Sequence, residues 1–390
     1  MKNINRNIIL LGLVSLFTDI SSEMIFPILP IFLDKFLHAS KTEIGFIEGL
    51  AEITASFLKI FSGIISDKFG KKKPLIIFGY GISTFSKPLL YFANSWLFVL
   101  FVRVSDRIGK GIRTSPRDAL ISAYSSEEVS GKSFGIHRGM DTVGAVLGTL
   151  LAFLFLLILG ETEKTFRFIF LFSIIPAGIA LFILIFMVKE PEVKEKKKTF
   201  YLRENIKTLP PEFYKFLIIQ ALFTSVSMNY AFMILKAQNV GISIGFIPVA
   251  YLIFNIFYAF FSYPIGSMSD KFGKINVMAF VYILFSLTSL TFTINGSIFG
   301  WLGFILYGLF MAGNETVSRA FISDFSKEKV KGTAYGIYHF VMGISSFISL
   351  SIAGFLWDKF GANFPFYISA LVSFALAIIL VVVFKIKKRV

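Results

Sequence analysis

Gly63-Ile-Ile-Ser-Asp67-Lys68-Phe69-Gly70-Lys71-Lys72 is the stretch on which the reading of this chain turns, because it occurs twice. Gly266-Ser-Met-Ser-Asp270-Lys271-Phe272-Gly273-Lys274 repeats it 203 residues later. Each copy closes an apolar run of about 20 residues, the length at which a helix crosses a bilayer. Each places a carboxylate, a turn glycine and at least two lysines at the end of that run. A nearly constant offset recurs elsewhere: Arg117 and Arg319 lie 202 residues apart, Gly135 and Gly336 201 apart. A helix-end signal repeated at one spacing predicts two halves built on one plan.

The composition fits membrane halves. Of 390 residues, 55% are hydrophobic and 16% charged, and 49 are Phe. A soluble domain is roughly 25% charged, so this chain has too little polar surface for a water-soluble enzyme or a nucleic-acid module. Twelve long apolar stretches are read at about 7–33, 43–66, 75–93, 96–122, 133–159, 166–188, 214–236, 245–268, 276–294, 298–323, 333–357 and 364–384. They are continuous rather than alternating, which predicts helices and not a barrel. The expectation is an all-α integral membrane protein with twelve transmembrane helices in two pseudo-symmetric six-helix bundles. Residues 1–188 and 213–390 form the bundles. Residues 189–212, Lys- and Glu-rich with Pro191, Pro210 and Pro211, form a cytoplasmic linker.

The formal charge of +15 has a place in this scheme. Lysines cluster after the even-numbered spans, at 68–73, 189–207, 271–274, 327–331 and 385–388. The positive-inside rule then puts both termini in the cytoplasm of a cell whose inner membrane holds the protein. Anionic lipids are the expected partners of these lysines, and nucleic acid is not. The first apolar run is read as a span and not a cleaved leader, because it is long and carries Asp19 and Glu23. The chain has no Cys, which excludes disulfides and thiolate metal sites. No phosphate-binding Gly-Lys-Ser/Thr loop occurs, and three scattered histidines make no metal set. Neither an enzyme nor a cofactor is expected, and a single chain is taken as the working unit.

The stretch after the second span resembles the signature loop of the major facilitator superfamily, Gly-x-x-x-Asp-(Arg/Lys)-x-Gly-(Arg/Lys)-(Arg/Lys). Gly63, Asp67, Lys68, Gly70, Lys71 and Lys72 fit every position; the second copy, with Asp270 and Gly273, fits until Ile275. The resemblance implies secondary transport, with this loop acting as a latch between the halves on the cytoplasmic side. Three further stretches resemble the drug/proton antiporter branch. Glu23-Met-Ile-Phe-Pro27 is similar to its acidic-x-x-x-Pro motif. Arg107-Ile-Gly-Lys110-Gly111 is similar to Arg-x-x-Gln-Gly, with Lys110 in place of Gln, and implies that Arg107 assists proton transfer. Gly135, Gly144 and Gly148 keep that branch's glycine spacing, but Thr149 stands where it has Pro.

Ionisable side chains within spans are expensive and are kept for a purpose. Asp19 with Glu23, and Glu48 with Glu52, are each four apart and so share a helical face. These four acids and Arg107 are the candidates for proton coupling. Lys110, Arg113, His137, Asp141, Asn229 and Glu315 are the candidates for binding solute, with Glu315 placed to meet Arg113. The expected activity is proton-coupled export of small organic, amphipathic or drug-like solutes by alternating access. The alternative is a uniporter or symporter for a small anionic solute, with lipid or metal-ion export below both.

Overall fold

The computed structural model describes residues 5–69, 72–125, 130–190, 208–325 and 331–385; of 64–69, 130, 325, 331 and 385 it describes the backbone only. Among these residues there are fifteen α-helices. In the N-terminal half they are α1 (Arg6–Glu23), α2 (Leu29–Lys35), α3 (Lys41–Phe69), α4 (Lys73–Ser86), α5 (Trp96–Tyr124), α6 (Ser130–Leu159), α7 (Glu163–Phe172) and α8 (Ile174–Phe186). The C-terminal half holds α9 (Pro211–Thr224), α10 (Tyr230–Asn239), α11 (Ile247–Phe272), α12 (Lys274–Thr293), α13 (Ser297–Phe325), α14 (Lys331–Phe360) and α15 (Phe364–Lys385).

The helices form the twelve spans read from the sequence, and four of those spans are interrupted. Pro27 has no amide proton for the helical ladder, and the first span breaks between α1 and α2. Pro88 turns the end of the third span into a 3-10 segment, Lys87–Phe92. The sixth breaks at Ser173 between α7 and α8, and the seventh between α9 and α10. Among the described residues, eight segments are long and apolar enough to cross a membrane by that measure alone. The other four are the charged spans α3 and α5 and the broken spans α1–α2 and α9–α10.

Breaks in the first and seventh spans correspond. α1 ends at residue 23 and α9 at 224; α2 starts at 29 and α10 at 230. Both ends are therefore 201 residues apart. Each break frees polar backbone groups that must find partners other than the helical ladder.

Contacts group residues 1–38 and 50–200 into one compact unit, and residues 39–49 and 201–390 into a second. In the first, Leu11, Val14, Ile76, Tyr80, Leu120 and Leu184 form an apolar core. The core of the second is aromatic: Phe223 stacks on Tyr282 at 4.0 Å and meets Phe285 at 5.5 Å. The start of α3 packs within the second unit. Asp358 accepts hydrogen bonds from the backbone N of Lys41 (3.0 Å) and Thr42 (2.8 Å) and from Thr42 Oγ1 (2.6 Å). A carboxylate of α14 thereby caps the N-terminus of α3. Outward-facing Ile158, Phe186, Phe260 and Leu371 are 71–74% exposed, a surface suited to lipid tails and not to water.

Lipid offers no hydrophobic drive for helix association, so close packing must hold the helices together. On α6, a Cβ at Gly144 would overlap the Leu16 carbonyl of α1, and one at Gly148 would lie 2.5 Å from the Ile20 carbonyl. These two glycines let α1 and α6 touch backbone to backbone. Of the signature loop, the backbone at Gly63 and Lys72 is described, whereas the side chains of Asp67 and Lys68, and Gly70 and Lys71 entirely, lie outside the described residues. In the second copy Gly273 has φ of 86°, a conformation that favours glycine, and it ends α11. Asp270 is exposed beside it.

Candidate functional site

Helix α5 brings most of the charge into the first unit. Arg103, Asp106, Arg107 and Arg113 are all buried there, 2–6% exposed. Their spacing places them on neighbouring turns of one helix, and small residues beside them admit the neighbouring helices. A Cβ at Gly109 would lie 2.7 Å from Ser83 Oγ of α4, and one at Gly79 would lie 2.6 Å from the Gly109 carbonyl. This contact seats Arg113, whose guanidinium donates to Ser83 Oγ (2.7 Å) and lies 4.2 Å from the centre of the Tyr80 ring. Arg103 and Arg107 share another ring, their guanidinium carbons 5.1 and 5.0 Å from the centre of Phe26. Phe26 stands in the break between α1 and α2, so the break delivers an aromatic face to two buried cations.

Acids meet these cations from three sides. Asp106 faces Lys87, Arg107, Arg103 and Arg113. Glu52 of α3 faces Arg107, Lys59, Lys110 and Arg103, yet it is exposed. Asp19 of α1 faces Asp141 of α6 together with Lys110, Arg113 and Arg117. The glycine seam explains the meeting of two acids, for a Cβ at Gly144 would come within 3.1 Å of the Asp19 Cβ. His137 Nδ1 lies 3.6 Å from Asp141 Oδ2. Arg117 pairs with Asp118 at 2.9 Å and reaches Ser15 Oγ at 3.4 Å, so it is held inside its own unit. Buried Arg107 Nε, His137 Nε2 and Asp141 Oδ1 have no hydrogen-bond partner among the described residues.

The structure therefore brings Asp19, Glu52, Arg107, Lys110, Arg113, His137 and Asp141 into one unit, with Glu23 on the α1 face touched by Gly148. Glu48 is elsewhere. It is 4% exposed and accepts from Tyr230 Oη at 3.2 Å within the second unit. Helical spacing puts Glu48 and Glu52 on one face, but that face meets different neighbours at each turn. Asn229 caps α10, its Oδ1 accepting from Ala231 N at 3.0 Å. Glu315 pairs with Arg319 of its own helix, as Arg113 does with Ser83 and Tyr80 of its own unit. Sequence patterning does not single out Lys87, which is 3% exposed and donates to Ser22 Oγ at 3.1 Å. The signal was present: a lone lysine before Pro88 inside an apolar span. Among the described residues no three His, Asp or Glu side chains converge in a way that could hold a metal ion.

Known proteins resemble the whole chain. A profile described as Major Facilitator Superfamily matches residues 11–235 and 216–390. An MFS-type transporter of Methanocaldococcus jannaschii is 39% identical over 368 residues, 91% of this chain and 89% of that protein. A second MFS-type transporter of the same organism is 28% identical over 395 residues, 97% of this chain and 98% of that protein. The crystal structure of the nucleoside transporter NupG superposes with a TM-score of 0.81 at 14% identity, covering 98% of this chain and all of that one, a likeness of fold.

Proposed function

The chain belongs to the Major Facilitator Superfamily, and from that premise we propose that it is a proton-coupled exporter of small organic solutes in which Asp19 and Asp141 together carry the proton. The observation that carries this reading is the pair of facing carboxylates held together by the Gly144–Gly148 seam, with His137 beside them. Two neighbouring carboxylates can share a proton. Lys110, Arg113 and Arg117 face Asp19, so gaining or losing that proton changes the charge balance between α1, α5 and α6. Such a change favours one arrangement of the bundles over the other, and solute and proton binding are linked through it. Glu23, Glu52 and Arg107 extend the same ionic interior, and Asn229 and Glu315 offer polar groups from the second half. The signature loop and its copy, with Asp270 and Gly273, act as the cytoplasmic latch. The lysine-rich face is cytoplasmic, against anionic lipids of the inner membrane, and one chain suffices.

Proteoliposomes loaded with a pH-sensitive dye test the reading. Solutes that stabilise the purified protein are added across an imposed pH gradient. The wild type couples solute movement to proton movement, and Asp19→Asn and Asp141→Asn each abolish the coupling. Coupling that survives in both variants rejects the proposal.

A further inference from the structure

The interior of the first unit carries more positive charge than its own carboxylates neutralise, and we infer that this excess receives the anionic group of the solute, a carboxylate or phosphate on a small organic body. The inference rests on the transporter reading above and specifies its substrate class. Lys59, Lys87, Arg103, Arg107, Lys110 and Arg113 face three carboxylates, Asp19, Glu52 and Asp106. Adding Glu23 and Asp141 makes five acids against six bases. Arg117 does not alter this balance, since it pairs with Asp118, and His137 beside Asp141 counts as a base only when protonated.

The excess gathers around one exposed acid. Glu52 is exposed and faces four of the six cations. Lys110 is half-buried there. Behind them Arg107 is 5% exposed, its guanidinium positioned by Phe26, and its Nε has no acceptor among the described residues. A buried guanidinium with an unused N–H is costly unless an acceptor arrives. Its fork of donors suits a carboxylate or a phosphate, which it can hold in two-point fashion.

The second repeat supplies an internal control. Gly111 and Gly313, 202 residues apart, set the register: the Gly111 carbonyl accepts from Ser62 on α3, and a Cβ at Gly313 would meet Ile265 at the matching place on α11. In that register Ile305, Gly308, Leu309 and Ala312 stand at the places of Arg103, Asp106, Arg107 and Lys110. The same helix packs in the second unit with none of these charges. Folding does not require them, so a role beyond packing does.

The test uses the full-length protein in phosphatidylcholine nanodiscs at constant ionic strength. Thermal melts are recorded in chloride and after replacement by citrate, glutamate, benzoate or glucose 6-phosphate, with benzamide and glucose as uncharged counterparts. At concentrations well above the dissociation constant at least one anion raises the wild-type Tm by about 3 °C or more, and its uncharged counterpart does not. Arg107→Gln and Lys110→Gln each weaken that anion at least about tenfold, as loss of a charge-assisted bond requires. Without anion, Lys110→Gln melts at or above the wild-type temperature, because it relieves unneutralised charge. Absence of any anion effect in the wild type, or an effect undiminished from wild type in both variants, overturns the inference. Stabilisation produced by phosphatidylglycerol in the disc, and blocking the soluble anions, overturns it in favour of a lipid headgroup. Proton coupling is read from the pH-gradient assay of Asp19→Asn and Asp141→Asn, and anion binding from melts of the wild type and the Arg107 and Lys110 variants, so the two failures are read separately.

Discussion

Tyr80 and Tyr282 occupy matching places in the two repeats and keep different company. The ring of Tyr80 lies under the Arg113 guanidinium. Tyr282 stacks on Phe223, and its hydroxyl donates to Gln220 Oε1 at 2.6 Å. The difference extends along both broken spans. Asp19 and Glu23 precede the first break; 201 residues on, Gln220 and Thr224 precede the other. Gln220 is fully buried and saturated, donating in turn to Asn314 Oδ1 at 2.9 Å. The carbonyls freed by the second break are taken by serines, Val226 O by Ser369 and Ser227 O by Ser349. One backbone plan thus carries neutral, hydrogen-bonded groups around the break in one unit and ionic ones around the break in the other. The break belongs to the plan, and the charges belong to the work.

This contrast can be broken by removing what only the first unit has. Asp106→Asn leaves four buried cations without their common carboxylate, and the expected loss is about 3–5 kcal/mol, read from melts of the purified protein. Next in size is the seam. Gly144→Val forces α1 and α6 apart at a cost of about 1–3 kcal/mol. The matching positions in the second unit hold buried Ser345 and Ser349, so Ser349→Gly there costs only the hydrogen bond to Ser227 O, about 1 kcal/mol. The neutral side can be broken too. Gln220→Leu strands Tyr282 Oη and Asn314 and costs about 2 kcal/mol. Its counterpart sharpens the comparison: Asp19→Gln imports the neutral residue, keeps the unfolding free energy within about 1 kcal/mol of wild type, and loses the response to a pH gradient. The smallest effect is expected at Asp358→Ala, where α3 loses its cap, about 1 kcal/mol.

Much of this was legible without coordinates. The twelve spans follow from continuous apolar runs, and the repeat from one shared offset. The acids of α1 and the bases of α5 are visible as charges where lipid tolerates few. Other features were hidden. No proline lies in Ser225-Val-Ser-Met-Asn229, so the second break is announced only by polar residues that also cap ordinary helices. Glu48 and Glu52 look like one pair on the helical wheel, but they part because α3 meets different helices at successive turns.

What the chain alone determined was set by near neighbours in sequence: hydropathy over about 20 residues makes a span, a proline removes a ladder bond, and duplication gives both halves one plan. What the tertiary structure decided was which charges meet. Asp19 finds Asp141, and Arg107 finds Phe26 and Glu52, across more than fifty intervening residues in each case. Such meetings depend on how closely two helices approach, and that distance is fixed by the absence of side chains at Gly144, Gly148, Gly79 and Gly109.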